Sequence, residues 1–588
     1  MDAYMATGMV NEEIARIFDR MAKVLTFKGG NRFRIMAYER GAANLRDLNR
    51  DLRDMPPGSF DEIPAIGKDL SAMITEYLAT GRIQKYETER AGLPEELIDL
   101  MSMPGLGPKT LTLLHEHRGV AGLADLERVL ADPATTQLPG FGERRVAALR
   151  KSLDVWSGGH GRMPLGIALP AAEELLRRIR ALPDVDRADI AGSLRRGKET
   201  IGDVDILIAS AAGEQALSRI SKLPGVKRVT ALGETRLSMI LEGDLQVDVR
   251  AVGVDSYGAA LQYFTGSKEH NVHLRTLARD LGLKINEYGV FQGDRKIGGE
   301  REEDVYASLG LAWMPPPEIR EDHGEIEASA HGRIPRLVEQ RDLRGDLHVH
   351  STYSDGRSTI AEIHTHAAKL GYSYVAVSDH SPSARIARGL DIERLHAKLA
   401  ELHKRQSTSG PLLLAGAEVD ILPDGKLDYP DEVLAQLDVV IIGIHSAFQQ
   451  PRYKMTGRIL DALDHPGVHV LAHPTARLLG SRGPLDYDFE RIARRAAERH
   501  VALEVNGSPQ RLDLNDTLVR IALDAGCLLC AGSDAHSTER MSDVRFGVLQ
   551  ARRGWAPPSR IINTWPAPKL IRWLHSRQQH PSGQRLAG

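Results

Sequence analysis

Seven short, nearly continuous apolar runs punctuate the C-terminal half of the chain: "DLHVH" (346–350), "YVAVSDH" (374–380), "LLLAGAE" (412–418), "VVIIGIH" (439–445), "VHVLAH" (468–473), "VALEVN" (501–506) and "LLCAGSDAH" (528–536). Amphipathic stretches such as "STIAEIHTHAAKLG" and "FERIARRAAERH" lie between most of them. Strands that are apolar on both faces and alternate with helices predict a parallel sheet closed into a barrel. The first 155 residues follow a helical pattern instead, broken by one turn used three times: "IPAIG" (63–67), "MPGLG" (103–107) and "LPGFG" (138–142). In the middle of the chain, "DVDILI" and "DLQVDVRAV" alternate with period two and predict strands. The expected fold class is multidomain α+β, with a helical N-terminal region, a mixed α/β middle and a C-terminal seven-stranded (β/α) barrel.

Composition narrows this picture. A chain of 588 residues has room for roughly three to five domains, and 42% hydrophobic with 26% charged residues is the balance of a soluble globular protein. No run of 18 apolar residues occurs, so no membrane span is expected. The N-terminus lacks a basic-then-apolar signal pattern, which predicts a mature, cytoplasmic protein. A net charge of −3 gives no general affinity for nucleic acid, so any such binding must come from local patches. The two cysteines, Cys527 and Cys530 in "GCLLCAG", read as small apolar residues of a buried strand rather than as a metal or redox pair.

The candidate chemistry falls into three groups. Each N-terminal turn closes on a glycine (Gly67, Gly107, Gly142), expected at positive φ, and runs into a helix whose N-terminal N–H groups can cradle a phosphate. Gly105 and Gly140 occupy the third turn position, where the first turn has Ala65, and Lys68, Lys109, Arg144 and Arg145 follow the turns. This resembles the helix-hairpin-helix, a sequence-independent binder of DNA backbone. In the middle region, Asp203 and Asp205 lie on one face of a strand, and Asp248 lies on a second strand. Three such carboxylates can hold two hard divalent cations for phosphoryl transfer. Gly192 and Ser193, with Arg196, can offer N–H, hydroxyl and guanidinium groups to a triphosphate. In the barrel, all strand C-terminal ends open on one face, which gathers His348, His350, Asp355, His380, Glu418, His445, His473, Asp534 and His536 into one site. The sixth strand offers Glu504 and Asn506. Imidazoles mixed with carboxylates suit Mn²⁺, Zn²⁺ or Fe²⁺ better than Mg²⁺. His364, His366, His396, His403 and His500 read as structural.

"GSLRRGKETIGDVDIL", "VDVR", "YFTGSKEHNVHLR" and "LKINEYGVF", in that order, resemble the palm and thumb of family X DNA polymerases of the polymerase beta type. The barrel pattern resembles the polymerase and histidinol phosphatase (PHP) domain. The resemblance implies a helical DNA-binding, lyase-like domain over 1–90, fingers over 91–155, palm over 156–252, thumb over 253–318, a linker over 319–341, the PHP barrel over 342–575 and a flexible tail over 576–588. It further implies Mg²⁺ on Asp203, Asp205 and Asp248, and triphosphate contacts from Ser193, Arg196 and Gly202. Tyr263 and Phe264, beside a turn at Gly266, would exclude a 2′-hydroxyl. Asn271 would reach the incoming base and Arg275 the template minor groove. Arg40 and Lys68 would grip a gap's 5′-phosphate. In the barrel, one metal would take His348, His350, Glu418 and Asp534, a second Asp355, His380 and His536, and a third His445 and His473 with Glu418 bridging.

One departure stands out. Met73 occupies the position of the family's Schiff-base lysine, and a thioether cannot form an imine. The expectation is a monomeric gap-filling polymerase of base excision repair, acting on dNTPs and gapped or primer–template DNA, with an active PHP 3′→5′ exonuclease or phosphoesterase. The rival readings are a nucleotidyltransferase on a non-DNA substrate joined to a small-molecule phosphatase, and a polymerase with a purely structural barrel.

Overall fold

The computed structural model describes residues 2–578, apart from 47–51, 57, 64, 102, 104–105, 160–161, 407–409 and 480–481. The expected tail falls mostly outside the described residues, as does Gly105. Described residues up to 159 form only helices and turns, around two cores. One core contains Phe18, Tyr38, Phe60 and Met73; the other contains Leu106, Leu114, Phe141 and Leu149. Gly67 and Gly107 precede the helices Lys68–Thr80 and Pro108–Arg118, and Gly142 precedes Glu143–Gly159.

The turns differ from expectation in one respect. Gly67 and Gly107 have φ of −80° and −63° and are extended, not left-handed. An N-cap residue keeps extended geometry so that its carbonyl can start the helix ladder. The chain reverses earlier, at the third turn position, where Ala65 has φ +62° and Gly140 φ +79°.

The region expected as the palm is a five-stranded sheet built from β1 (Arg187–Ile190), β2 (Val204–Ala209), β3 (Val226–Leu232), β4 (Arg236–Leu241) and β5 (Gln246–Val252), in spatial order β1-β2-β5-β4-β3. Only β2 and β5 pair in parallel; the other neighbours are antiparallel. The helices Leu165–Arg180 and Gly213–Ile220 cover one face through Leu175, Ile179 and Leu217. The stretch expected as the thumb follows, with helices Tyr257–Thr265 and Lys268–Asp280 and a three-stranded antiparallel sheet within 284–298.

The stretch expected as a linker is folded onto the thumb over its first part. Ile326 joins the core of Leu274 and Tyr306. Arg320 and Glu325 are fully buried, Arg320 paired with Glu302 and Glu325 with His270 at 2.6 Å. A charged run reads as solvated when its partners are distant in sequence; here those partners wait inside the thumb.

The barrel consists of β6 (Gly345–Val349), β7 (Tyr374–Val377), β8 (Leu412–Asp420), β9 (Val439–Gly443), β10 (Val470–Leu471), β11 (Ala502–Asn506) and β12 (Leu529–Gly532), in sequential order and all parallel. A bridge between Val349 and Ala535 joins the ends, with the His350 N–H donating to the Ala535 carbonyl at 2.8 Å. Alternate residues face the barrel interior (Tyr374, Ala376) and the helices (Val375, Val377), which is why the runs are apolar throughout. Cys527 and Cys530 are free and buried, and burial pushes both thiols up, Cys527 to about 12.

Candidate active sites

Asp205 and Asp248 are register partners on the parallel pair β2–β5, so their side chains leave the same face of the sheet. Asp203, two residues before Asp205, shares that face and is exposed. Gly192 has φ +62°, and a Cβ there would lie 2.2 Å from Asp205 Oδ2, so glycine is what lets the 192–195 turn sit against the carboxylate. Burial, reinforced by Asp203 and Asp248, pushes the Asp205 carboxyl up to about 6. For Asp248 burial works in the same direction, but hydrogen bonds from Ser238, Arg236 (3.0 Å) and Gln246 (3.3 Å) outweigh it and leave its pKa below the ordinary value. The three carboxylates are not drawn into one tight group: among the described residues, only barrel side chains place three ligand atoms within 4.8 Å of one another.

Around this face, Arg196 is already engaged. Its Nε donates to Glu321 at 3.0 Å and its Nη1 to the Thr265 carbonyl. Ser193 and Gly202 are half-buried at either end of the loop. Tyr263 and Phe264 meet edge to face, with centroids 5.2 Å apart, and the Arg250 guanidinium lies 4.5 Å over Phe264. Asn271 donates to the Tyr263 carbonyl and accepts from Gln262, both at 2.7 Å, which ties the two thumb helices together beside Gly266 (φ +70°). Arg275 is exposed. In the N-terminal helices, Arg40, Gly67, Lys68, Gly140 and Gly142 are exposed, and a Cβ on Gly67, Gly107 or Gly142 would meet nothing within 4 Å. Lys109 lies in the first turn of its helix. Arg145 is committed, holding the Gly140 carbonyl at 2.9 Å and the Thr110 hydroxyl at 2.6 Å. Met73 is core, with the Tyr38 hydroxyl 3.8 Å from its sulfur.

At the barrel mouth the expected nine side chains meet. His348, His350 and Asp534 form one group, His350, Asp355, His380 and His536 a second, and His380, Glu418 and His445 a third. His350 and His380 are therefore each shared between two groups. Glu418 lies at the centre: its Oε2 is 3.1 Å from His380 Nδ1, 3.3 Å from His348 Nε2 and 3.5 Å from His350 Nε2, and its Oε1 is 2.7 Å from His473 Nε2. The last is a hydrogen bond; the first three are separations that atoms sharing an ion take. His348 Nε2, both ring nitrogens of His350, His380 Nδ1, Glu418 Oε2 and His445 Nε2 are buried without an aligned hydrogen bond. Buried polar atoms left unpaired are costly, so this donor set fits divalent cations. His473 (φ +26°) and Asp534 (φ +54°) hold left-handed backbone, a strain of the kind found at functional sites. Burial pulls His380 down to about 3. It also opposes charge on His445 and His536, yet Glu418 with Asp420, and Asp355 with Asp534, bring each to about 9.

The roles of several supporting groups emerge only in three dimensions. Glu504 is not in the cluster itself: it accepts from His348 Nδ1 at 2.7 Å and from the His473 N–H at 2.7 Å, which aims His348 Nε2 at the ligand cluster. Asp420 does the same for His445 Nδ1. Asp379 pairs with the fully buried Lys398 and accepts from Ser351 and Ser354, fixing the loop that carries His350 and Asp355. Arg511 reaches Asp534 at 3.2 Å. Asp420, two residues after Glu418 on one strand face, and Asp379 in "SDH" carried a local signal; Arg511 carried none.

Known families match the chain in the same order. A helix-hairpin-helix domain matches residues 9–83, a SAM-like helix-hairpin-helix tandem 97–154, the DNA polymerase beta thumb 260–321 and the PHP domain 346–506. A Bacillus subtilis (strain 168) protein named DNA polymerase/3′-5′ exonuclease PolX is 35% identical over 562 residues, covering 94% of this chain and 97% of its own. Over a shorter stretch the chain also resembles proteins named as probable phosphatases. One, from Syntrophotalea carbinolica, is 31% identical over 37% of this chain and 90% of its own. The other, YcdX of Escherichia coli K12, is 28% identical over 40% of this chain and 96% of its own. The chain belongs to the bacterial family X DNA polymerases that carry a C-terminal PHP domain.

Proposed function

We propose that this chain fills short gaps in damaged DNA by template-directed nucleotide addition and trims DNA 3′ ends at the barrel mouth. The observation that carries the reading is the pair of separate metal-competent faces on one chain: Asp205 and Asp248 in register on the palm, and the unpaired ligand atoms around Glu418 in the barrel. On the palm, Asp203, Asp205 and Asp248 would hold Mg²⁺, and Arg236 neutralises Asp248 in its absence. Gly192, Ser193, Arg196 and Gly202 bind the dNTP phosphates. Tyr263 and Phe264 close the sugar pocket, held by Asn271 and Gly266, while Arg275 faces the template. Arg40, Lys68, Lys109 and the backbone N–H groups after Gly67, Gly107 and Gly142 grip the DNA backbone.

In the barrel, His348, His350, Glu418 and Asp534 would hold one ion, Asp355, His380 and His536 a second, and His445 and His473 with Glu418 a third. Mn²⁺, Zn²⁺ and Fe²⁺ suit this donor set and supply Lewis acidity and an activated water. Glu504 and Asp420 fix the imidazole tautomers, and Arg511 offers a cation to the departing phosphate.

The test uses a gapped duplex whose primer is labelled at its 5′ end. With dNTPs and Mg²⁺ the primer is expected to extend, and with Mn²⁺ alone to shorten. Preferential addition to RNA would overturn the DNA reading; absence of shortening by metal-loaded protein would make the barrel structural.

A further inference from the structure

One helix belongs to two cores. In Val544–Arg553, Val544, Val548 and Ala551 are buried in the barrel core, whereas Phe546, with Leu549 beside it, is buried in the palm core. Phe546, Leu549, Gln550 and Arg553 recur at three, four and seven residues, one helical stripe turned towards the palm. That stripe ends on the loop directly after the 192–195 turn. Gln550 Nε2 donates to the Gly197 carbonyl at 3.0 Å, and Arg553 Nη1 to the Arg196 carbonyl at 2.7 Å. Arg553 also reaches Glu321 at 3.1 Å and pairs with Asp516. Glu321 is the same carboxylate that receives Arg196 Nε and, at 3.0 Å, Lys198. Gln550 is 1% exposed and Arg553 5%.

We propose that this barrel helix completes the polymerase's triphosphate-binding loop. Gln550 and Arg553 are positioning residues that hold the Arg196–Lys198 backbone and, through Glu321, aim the Arg196 guanidinium at the incoming phosphates. The proposal rests on the reading of 192–202 as the triphosphate site. Buried donors on two consecutive carbonyls leave the loop little freedom, and a displacement of about 1 Å in a positioning element can cost about 10²-fold in rate.

Steady-state primer extension by the full chain tests this. Gln550→Leu and Arg553→Met are expected to raise KM for dNTP about tenfold while kcat at saturating dNTP changes less than twofold, and Arg553→Lys to recover part of the loss. A merely structural defect would lower the active fraction, hence apparent kcat, and leave KM in place. Ser193→Ala serves as the reference. If it leaves KM unchanged, the triphosphate reading itself fails. If it raises KM while Gln550→Leu and Arg553→Met keep the unmodified value, the positioning role fails. Should Arg553→Met not accumulate as folded protein by thermal unfolding, Gln550→Leu decides alone, because it leaves both ion pairs of Arg553 intact.

Discussion

The palm and the barrel both gather acidic side chains, but in different company. The palm uses carboxylates alone, from one parallel strand pair and the residue just before it, with Asp203 exposed and Asp248 balanced by an arginine. The barrel draws imidazoles and carboxylates from the ends of several strands, buries most of them, and balances its carboxylates with histidines that burial would otherwise keep neutral. Oxygen-only sites that keep solvent suit a hard, well-hydrated ion such as Mg²⁺, whereas mixed nitrogen and oxygen cages suit transition metals. The difference teaches that one chain can present two acidic faces of unlike ligand type, one of oxygen alone and one of nitrogen and oxygen mixed.

The sharpest way to break this comparison is to remove one ligand from each site. Asp248→Ala should lower nucleotide addition by about 10³-fold or more, equivalent to roughly 4 kcal/mol of lost charge stabilisation, while barrel hydrolysis of a small phosphoester persists. Undiminished primer extension would take Asp248 out of the site. His350→Ala should lower Mn²⁺-dependent 3′-end degradation by about 10²-fold or more, since His350 is shared by two ligand groups. Its backbone bond to Ala535 survives the change, so the barrel should stay closed and extension stay within about twofold. Loss of extension by a folded His350→Ala protein would refute the two-site account; persistent degradation would move the nuclease elsewhere.

Two smaller effects sharpen it. Borohydride trapping on a 5′-deoxyribose phosphate end should give little adduct, because the thioether of Met73 cannot form an imine. Met73→Lys should restore some, since burial keeps a lysine amine partly neutral and nucleophilic. Strong trapping by the unmodified chain would show that another lysine does this chemistry. The last test is a pH series. Folding raises the Asp205 carboxyl from 3.8 to about 6, so the folded chain keeps a proton that the unfolded chain releases. Stability from this group is therefore full below about pH 4 and falls as pH rises to 6. Mg²⁺ favours the ionised carboxylate, so its increment to Tm should be larger at pH 7 than at pH 5, and Asp205→Asn should flatten that dependence. An increment independent of pH in the unmodified protein would remove Asp205 from the cation site.

Much of this protein was written locally. Strand runs, helical stretches and the repeated turn depend on periods of two and 3.6 residues and on Gly and Pro chemistry, all readable within a short window. The meeting of the nine barrel side chains was legible because a parallel barrel sends every strand end to one mouth, so strand-terminal His, Asp and Glu gather there. Tertiary structure decided what each group does with its neighbours. Whether 319–330 is a tether or part of the thumb turned on His270 and Glu302, which no local pattern links to it. The positive φ of the turns moved to Ala65 and Gly140 because the following helix demands an extended cap. Arg196 is held by Glu321 and by Thr265, and Glu199 of the palm by Arg477 of the barrel across 278 residues of sequence. Residue type and period are local properties of a chain; partnership between buried charges is a property of its closed, low-dielectric interior, and only the fold determines who faces whom there.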